Sequence, residues 1–215
     1  MKLVLADDHQ IVRAGLRKLV EEHPDLMVVG EAATGREAIE QVRTHRPDIV
    51  IMDISMPDLN GLEATRQIRR DWPDTKIIIL TMHHRCQYIR DLLKAGISGY
   101  VLKQDIVSDL MNAITASQKS GIYMSPQVSG VLVGDYIGEK KEEYSDATNL
   151  LSSREREILQ LIAEGKSTKE IAVHLHISPK TVESTRLRIM QKLNLFTVAE
   201  LTRFAIAEGV TSEEF

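Results

Sequence analysis

Along the first 121 residues, short β-branched runs recur between stretches whose apolar positions fall at helical spacing. The runs are Leu3-Val4-Leu5, Met27-Val28-Val29, Ile49-Val50-Ile51, Ile77-Ile78-Ile79-Leu80 and Tyr100-Val101-Leu102, so five strands are predicted. Between them Ile11, Leu16, Leu19 and Val20, then Ala38, Ile39 and Val42, then Leu62 and Ile68 fall at helical spacing. Strands this uniformly apolar, alternating with helices, predict a parallel sheet covered on both faces, a doubly wound α/β domain. Ligands of such sheets sit at the carboxyl ends of the strands.

From about Gln118 the pattern dissolves into Gly, Ser and the charged run Glu139-Lys140-Lys141-Glu142-Glu143, which predicts an interdomain linker over residues 122–149. The apolar triplet Val131-Leu132-Val133 inside it fits either linker or a docking helix. After Leu150 no strand pattern returns, and four helix starts follow. Ser152 stands three before Glu155, Ser167 three before Glu170 and Thr197 three before Glu200, the spacing at which hydroxyl and carboxylate reciprocally satisfy orphan N–H groups. The fourth cap is Ser178, followed by Pro179, whose missing N–H costs nothing at that position. With Gly165 and Gly209 as stops, residues 150–215 are expected to form an all-α four-helix domain.

Composition narrows the class. With 43% hydrophobic and 27% charged residues the chain is too apolar to be disordered. A net charge of -4 gives no whole-chain sign of nucleic-acid binding, so such binding has to rest on a local patch. A single cysteine, Cys86, favours a reducing compartment, the cytoplasm. The opening apolar run ends at Asp7 and Asp8, far short of a signal peptide, and no later run is long enough for a bilayer, so no membrane segment is expected.

The predicted strand ends carry the chemistry: Asp7 and Asp8 follow the first, Asp53 the third, Thr81 the fourth and Lys103 the fifth. Singly each has a plain structural explanation, Asp8 as a helix cap and Asp53 as a turn residue. Together on one rim they form a cluster of carboxylates that repel one another unless a cation joins them, and an all-oxygen site suits Mg²⁺. With that charge neutralised Asp53 is the expected nucleophile toward a phosphoryl donor, Lys103 pairs with a phosphoryl oxygen, and Thr81 donates a hydrogen bond to another.

The segments LADDH, DISMPDLNG, LTM and GYVLK resemble the receiver domains of two-component response regulators over residues 1–121. That resemblance implies a flavodoxin-like (βα)5 fold, with Asp53 phosphorylated by a sensor histidine kinase. It also implies Mg²⁺ held by Asp8, Asp53 and the backbone carbonyl of Ser55 with Asp7 nearby, and Tyr100 as a switch aromatic coupled to Thr81. Met82, Gln104 and Asn60 stand where small residues, proline and aspartate are more usual in receivers.

In the second half the turn His176-Ile177-Ser178 precedes a segment, Lys180 to Lys192, in which Lys180, Arg186, Arg188 and Lys192 face the lone acid Glu183. Helical spacing turns Val182, Ile189 and Leu193 inward and leaves Lys180, Glu183, Ser184, Leu187, Arg188 and Gln191 outward. Phosphates are the matching partner, and Ser178 and Thr181 at the helix N-terminus can donate to them as well. The charge pattern alone fits a solvated helix of a protein-docking bundle equally. The sequence LSSREREILQLIAEGKSTKEIAVHLHISPKTVE with RIMQKLN after it resembles the LuxR-type DNA-binding domain of the NarL/FixJ response-regulator family. This implies a recognition helix near 179–193 in the major groove of promoter DNA, phosphate contacts by Lys180 and Lys192, base reading by Glu183, Ser184 and Leu187, and dimers on paired half-sites. Thr185 and Thr168 replace residues common in that family.

The expectation is a phosphorylation-gated transcription factor that dimerises when phosphorylated and is no enzyme beyond slow self-dephosphorylation. One alternative keeps DNA binding but uses the receiver as a phosphate-independent dimerisation module, motivated by Met82 beside the acids. Another is an aspartyl phosphohydrolase, which the chain fits less well because it lacks a DxD nucleophile motif.

Overall fold

A computed structural model describes residues 1–82, 86–119, 121–137 and 150–211, which form two compact units. In the N-terminal unit β1 (Lys2–Ala6), α1 (Gln10–Glu21), β2 (Met27–Ala32), α2 (Gly35–His45), β3 (Ile49–Met52), α3 (Gly61–Asp71), β4 (Lys76–Thr81), α4 (Cys86–Ala95) and β5 (Gly99–Leu102) alternate along the chain. A 3-10 turn at Lys103–Asp105 leads into α5 (Ile106–Gln118), then β6 (Tyr123–Met124) and α6 (Pro126–Tyr136). All strand pairings are parallel, in the order β2-β1-β3-β4-β5-β6. The order reverses at β1, which opens a crevice beyond the carboxyl ends of β1 and β3. Asp7 and Asp53 directly follow those two ends.

Alternate residues take opposite sides of the sheet. Leu3, Leu5, Ile49, Ile51, Ile78, Leu80 and Val101 pack with Leu16 and Val20 of α1 and Leu110 and Ile114 of α5. The intervening Val4, Val50, Met52, Ile77 and Ile79 are each 0% exposed on the other side. Neither face meets water, which is why the strands show no polar alternation. Each such side chain contributes roughly 1.5–3 kcal/mol when fully buried, so the strands hold the rim rigidly. Two of the helices on the sheet, α2 and α3, start on side-chain caps: Thr34 accepts from Glu37 N at 3.1 Å, and Asn60 from Glu63 N at 3.0 Å.

Five strands were expected, with a linker over residues 122–149; all five are present, and a short sixth strand and a helix lie within the stretch expected as linker. Tyr123 N donates to Ser98 O at 3.1 Å and Ser125 N to Tyr100 O at 3.0 Å, so the chain adds a sixth strand beside β5. An edge strand leaves backbone groups unpaired, and this short segment satisfies them. The apolar triplet at Val131–Val133 lies in a helix, α6, that packs on α4: Cys86 Sγ donates to Val131 O at 3.6 Å, and Arg90 pairs with Asp135. Ser125, fully buried, donates to Asp109 Oδ2 at 2.6 Å and fastens the start of α6 to α5. The charged run at 139–143 lies outside the described residues.

The C-terminal unit consists of α7 (Ser153–Ala163), α8 (Thr168–His174), α9 (Pro179–Leu193) and α10 (Val198–Ala207) around a core that includes Leu159, Leu161, Ile171, Val182, Ile189 and Leu201. All three expected capping boxes are formed, at Ser152 with Glu155, Ser167 with Glu170 and Thr197 with Glu200. Gly165 at φ 79° and Gly209 at φ 59° adopt the left-handed backbone that ends helices, as expected of both. No helix among the described residues is long and apolar enough to cross a membrane.

Candidate functional sites: an acidic strand-end cluster and an exposed basic helix

At the crevice, Asp53 is 4% and Asp7 1% exposed. Lys103, entering from the end of β5, places Nζ 2.9 Å from Asp53 Oδ2 and 2.7 Å from Asp7 Oδ2. Asp53 Oδ1 accepts from Ile54 N at 2.7 Å, and Asp7 Oδ1 from His9 N at 2.9 Å. Burial pushes the Asp53 carboxyl above its ordinary range, with Asp7 adding to the rise, while Lys103 opposes it. Burial works against the charge of Lys103, but Asp53 and Asp7 more than offset this and hold its ammonium above the usual range. The ammonium is therefore charged at neutral pH and fixed between two buried acids.

Asp8 differs from its neighbour. Its side chain is 31% exposed and lies 2.7 Å from His9 Nδ1, outside the Lys103 bridge. Among the described residues, Asp7, Asp8 and His9 form the one group of side chains whose ligand atoms lie close enough for a metal ion, within 4.8 Å of one another. Ser55 follows two residues after Asp53 and is half-buried. Thr81 and Tyr100 are both 0% exposed, and burial pushes the Tyr100 phenol far up, so it stays protonated. Thr81, Met82, Leu102, Lys103 and Gln104 line a hollow of about 240 Å³ completed by Gln127 and Val131 of α6. Met82 itself is 65% exposed.

Two supports of the site drew little notice in the sequence. A Cβ on Gly61 would meet Asp53 O at 2.0 Å, so only glycine lets the start of α3 close against the acid. Arg13 NH1 donates to Asp7 O at 2.6 Å, and nothing in a helical pattern reveals that reach. The signal for Gly61 was the Asn-Gly pair at a helix start; Arg13 left no comparable signal.

In the second unit, α8 and α9 are joined through His176, at φ 53°, and Ile177, whose N–H donates to Ala172 O at 3.0 Å. Ser178 Oγ accepts from Thr181 N at 3.1 Å and also lies 2.8 Å from Thr181 Oγ1, so both hydroxyls build the cap of α9 while remaining on the surface. Lys180, Glu183, Ser184, Leu187, Arg188 and Gln191 are all exposed, and Val182 and Ile189 are buried, as helical spacing required. Lys192 is different: its ammonium lies 2.7 Å from Glu155 Oε2 and 3.1 Å from Leu150 O, so it ties α9 to the capping box of α7. Its expected phosphate contact has to compete with that tie. Thr185 is buried and accepts from Arg188 NH2 at 3.4 Å.

Residues 3–115 match the response regulator receiver domain, and residues 149–205 match the bacterial regulatory proteins of the luxR family. The oxygen regulatory protein NreC of Staphylococcus carnosus (strain TM300) is 42% identical over 210 residues, covering 96% of this chain and 97% of NreC. The response regulator UvrY of Escherichia coli (strain K12) is 38% identical over 214 residues, covering 100% of this chain and 97% of UvrY. Among solved structures, the RcsB response regulator of Salmonella typhimurium is 33% identical with a TM-score of 0.61, covering 96% of this chain and 98% of that one. A complex of RcsB with DNA is 33% identical with a TM-score of 0.59, covering 95% and 96% of the two chains. The chain belongs to the NarL/FixJ-type response regulators of two-component signal transduction, in which a receiver domain is joined to a LuxR-type DNA-binding transcription-regulatory domain.

Proposed function

We propose that Asp53 is the phosphoacceptor and that its phosphorylation by a sensor histidine kinase controls dimerisation and promoter binding through α9. The observation that carries this is the Lys103 ammonium held against both buried acids, 2.9 Å from Asp53 Oδ2. In the transfer, an Asp53 carboxylate oxygen attacks the phosphorus of a phosphohistidine, the P–N bond breaks, and the imidazole leaves. Lys103 is placed to follow the new phosphoryl oxygens, and the Thr81 hydroxyl at the end of β4 to donate to one of them, with Tyr100 responding behind it.

The donor set suits a magnesium ion. Asp7, Asp8 and Asp53 offer oxygen ligands, and three carboxylates against the one Lys103 ammonium leave about two negative charges for a divalent cation. Asp8, Asp53 and the carbonyl of Ser55 would hold it. When bound it shields the transferring oxygens from the acids. The chain's own groups position that chemistry, and the protein turns over no substrate beyond slow loss of its own phosphoryl group.

On DNA, Lys180 and Arg188 meet phosphates with Ser178 and Thr181 at the helix start, while Glu183, Ser184 and Leu187 face base edges. Dimers on paired half-sites, and action in the cytoplasm where promoter DNA is reached, complete this reading. A solved structure of two RcsB dimers bound to two parallel DNAs supports it. Radiolabelled phosphoryl transfer to the wild type but not to Asp53→Ala tests the assignment. Equal labelling of both would reject it, and a receiver that dimerises without phosphate would leave neither labelled.

A further inference from the structure

Asp7 and Asp8 share a peptide whose carbonyl accepts from Arg13 NH1 at 2.6 Å. The same guanidinium, 15% exposed, donates from Nε to Glu31 Oε2 at 3.2 Å. Glu31 sits on β2 in register with Leu5 of β1, and its other oxygen accepts from Arg17 Nε at 2.8 Å. Arg17 reaches Glu21 at 2.8 Å as well, so two arginines and two glutamates form a network with no net charge. Held in this way, Arg13 brings a rigid donor to the acidic loop without cancelling its negative field.

We propose that Arg13 is a positioning residue, which fixes the Asp7–Asp8 peptide so that both carboxylates are set for the divalent cation, with Glu31 keeping its charge balanced. A planar guanidinium can hold a carbonyl and a carboxylate together; a lysine ammonium on a flexible stem cannot hold both in the same geometry. A purely electrostatic role makes the opposite forecast. Removing a positive charge near an acidic pair then tightens cation binding, and exchanging arginine for lysine leaves it unchanged.

The inference rests on the magnesium reading above, and its test separates the two. Titration calorimetry of the full chain with MgCl2 compares wild type, Arg13→Gln and Arg13→Lys, while amide exchange of the His9 N–H, which donates to Asp7 Oδ1, is followed without metal. Positioning predicts Mg²⁺ affinity about five- to tenfold weaker in both variants and His9 exchange faster by a similar factor, the worth of one lost hydrogen bond. Arg13→Gln binding Mg²⁺ as tightly as wild type or more so, or Arg13→Lys matching wild type, overturns it. A wild type that takes up no Mg²⁺ rejects the cation reading, yet faster His9 exchange in the variants still supports the hold on the peptide. If Arg13→Gln does not fold, Arg13→Lys carries both measurements.

Discussion

Lys103 Nζ stands 2.9 Å from Asp53 Oδ2 and shares its charge with Asp7, so one cation serves two buried acids. Replacing it with methionine leaves both carboxylates without that partner. Lys103→Met is expected to lose about 2–3 kcal/mol in urea unfolding, less than a fully buried pair would because the crevice opens at its rim. Asp53→Asn should change stability by no more than about 1 kcal/mol, since Lys103 retains Asp7 and a carboxylate disfavoured by burial is gone.

The same pair fixes a pH dependence. The Asp53 carboxyl is raised in the fold, so the folded state binds its proton more tightly than the unfolded chain does. Its contribution to stability falls as pH rises from the ordinary aspartate range through the raised folded value, and is level above it. Lys103 is raised too, so its contribution is full below the ordinary lysine value and is lost as pH climbs through the folded one. Urea midpoints against pH should show the acid-side fall vanish in Asp53→Asn and the alkaline loss vanish in Lys103→Met.

Gly61→Ala forces a Cβ toward the Asp53 carbonyl. A cost of about 2–3 kcal/mol is expected, together with impaired phosphorylation, because the backbone that carries the acid has to move. Asn60→Ala, which removes the cap on Glu63 N, should cost about 1 kcal/mol and leave phosphorylation intact. Thermal melts and radiolabelling distinguish the two.

Met82 projects from the hollow beside Thr81 and Lys103. Met82→Ala is expected to quicken phosphorylation by a small donor such as acetyl phosphate and also hydrolysis of the product. Unchanged rates for both would show that the side chain does not restrict access.

On α9 the exposed bases separate by their partners. Lys180→Ala and Arg188→Ala should weaken binding across DNA sequences and each lower the salt slope by about 1, as expected of phosphate contacts. Lys192→Ala should instead lower stability, by no more than about 1 kcal/mol because the lysine side chain of its pair with Glu155 is 40% exposed, with a smaller change in salt slope. Gel shifts at several salt concentrations separate these effects.

Helical and strand periodicity revealed the alternating α/β unit, and the three hydroxyl–glutamate spacings revealed the helical unit, because caps and apolar faces are local in sequence. The rim acids were legible for the same reason: each follows a strand that the pattern marks. What escaped depends on contacts made at a distance. Two residues, Tyr123 and Met124, are too few to show alternation and become a strand only because β5 offers an open edge. Residues 126–136 lack a one-sided apolar stripe, so α6 is set by its anchorage at Ser125 and α4 and not by periodicity. The family resemblance implies a phosphate contact for Lys192, and only the fold brings Glu155, 37 positions earlier, to its ammonium.

Coupling between the carboxylate at position 53 and the basic helix is tested most directly by DNA affinity of the full chain, measured with magnesium in the presence and absence of beryllofluoride, for wild type and Asp53→Asn. Tighter binding and a shift to dimer on adding beryllofluoride, confined to wild type, is the predicted result. The same affinity under both conditions, or an equal response from Asp53→Asn, would contradict it.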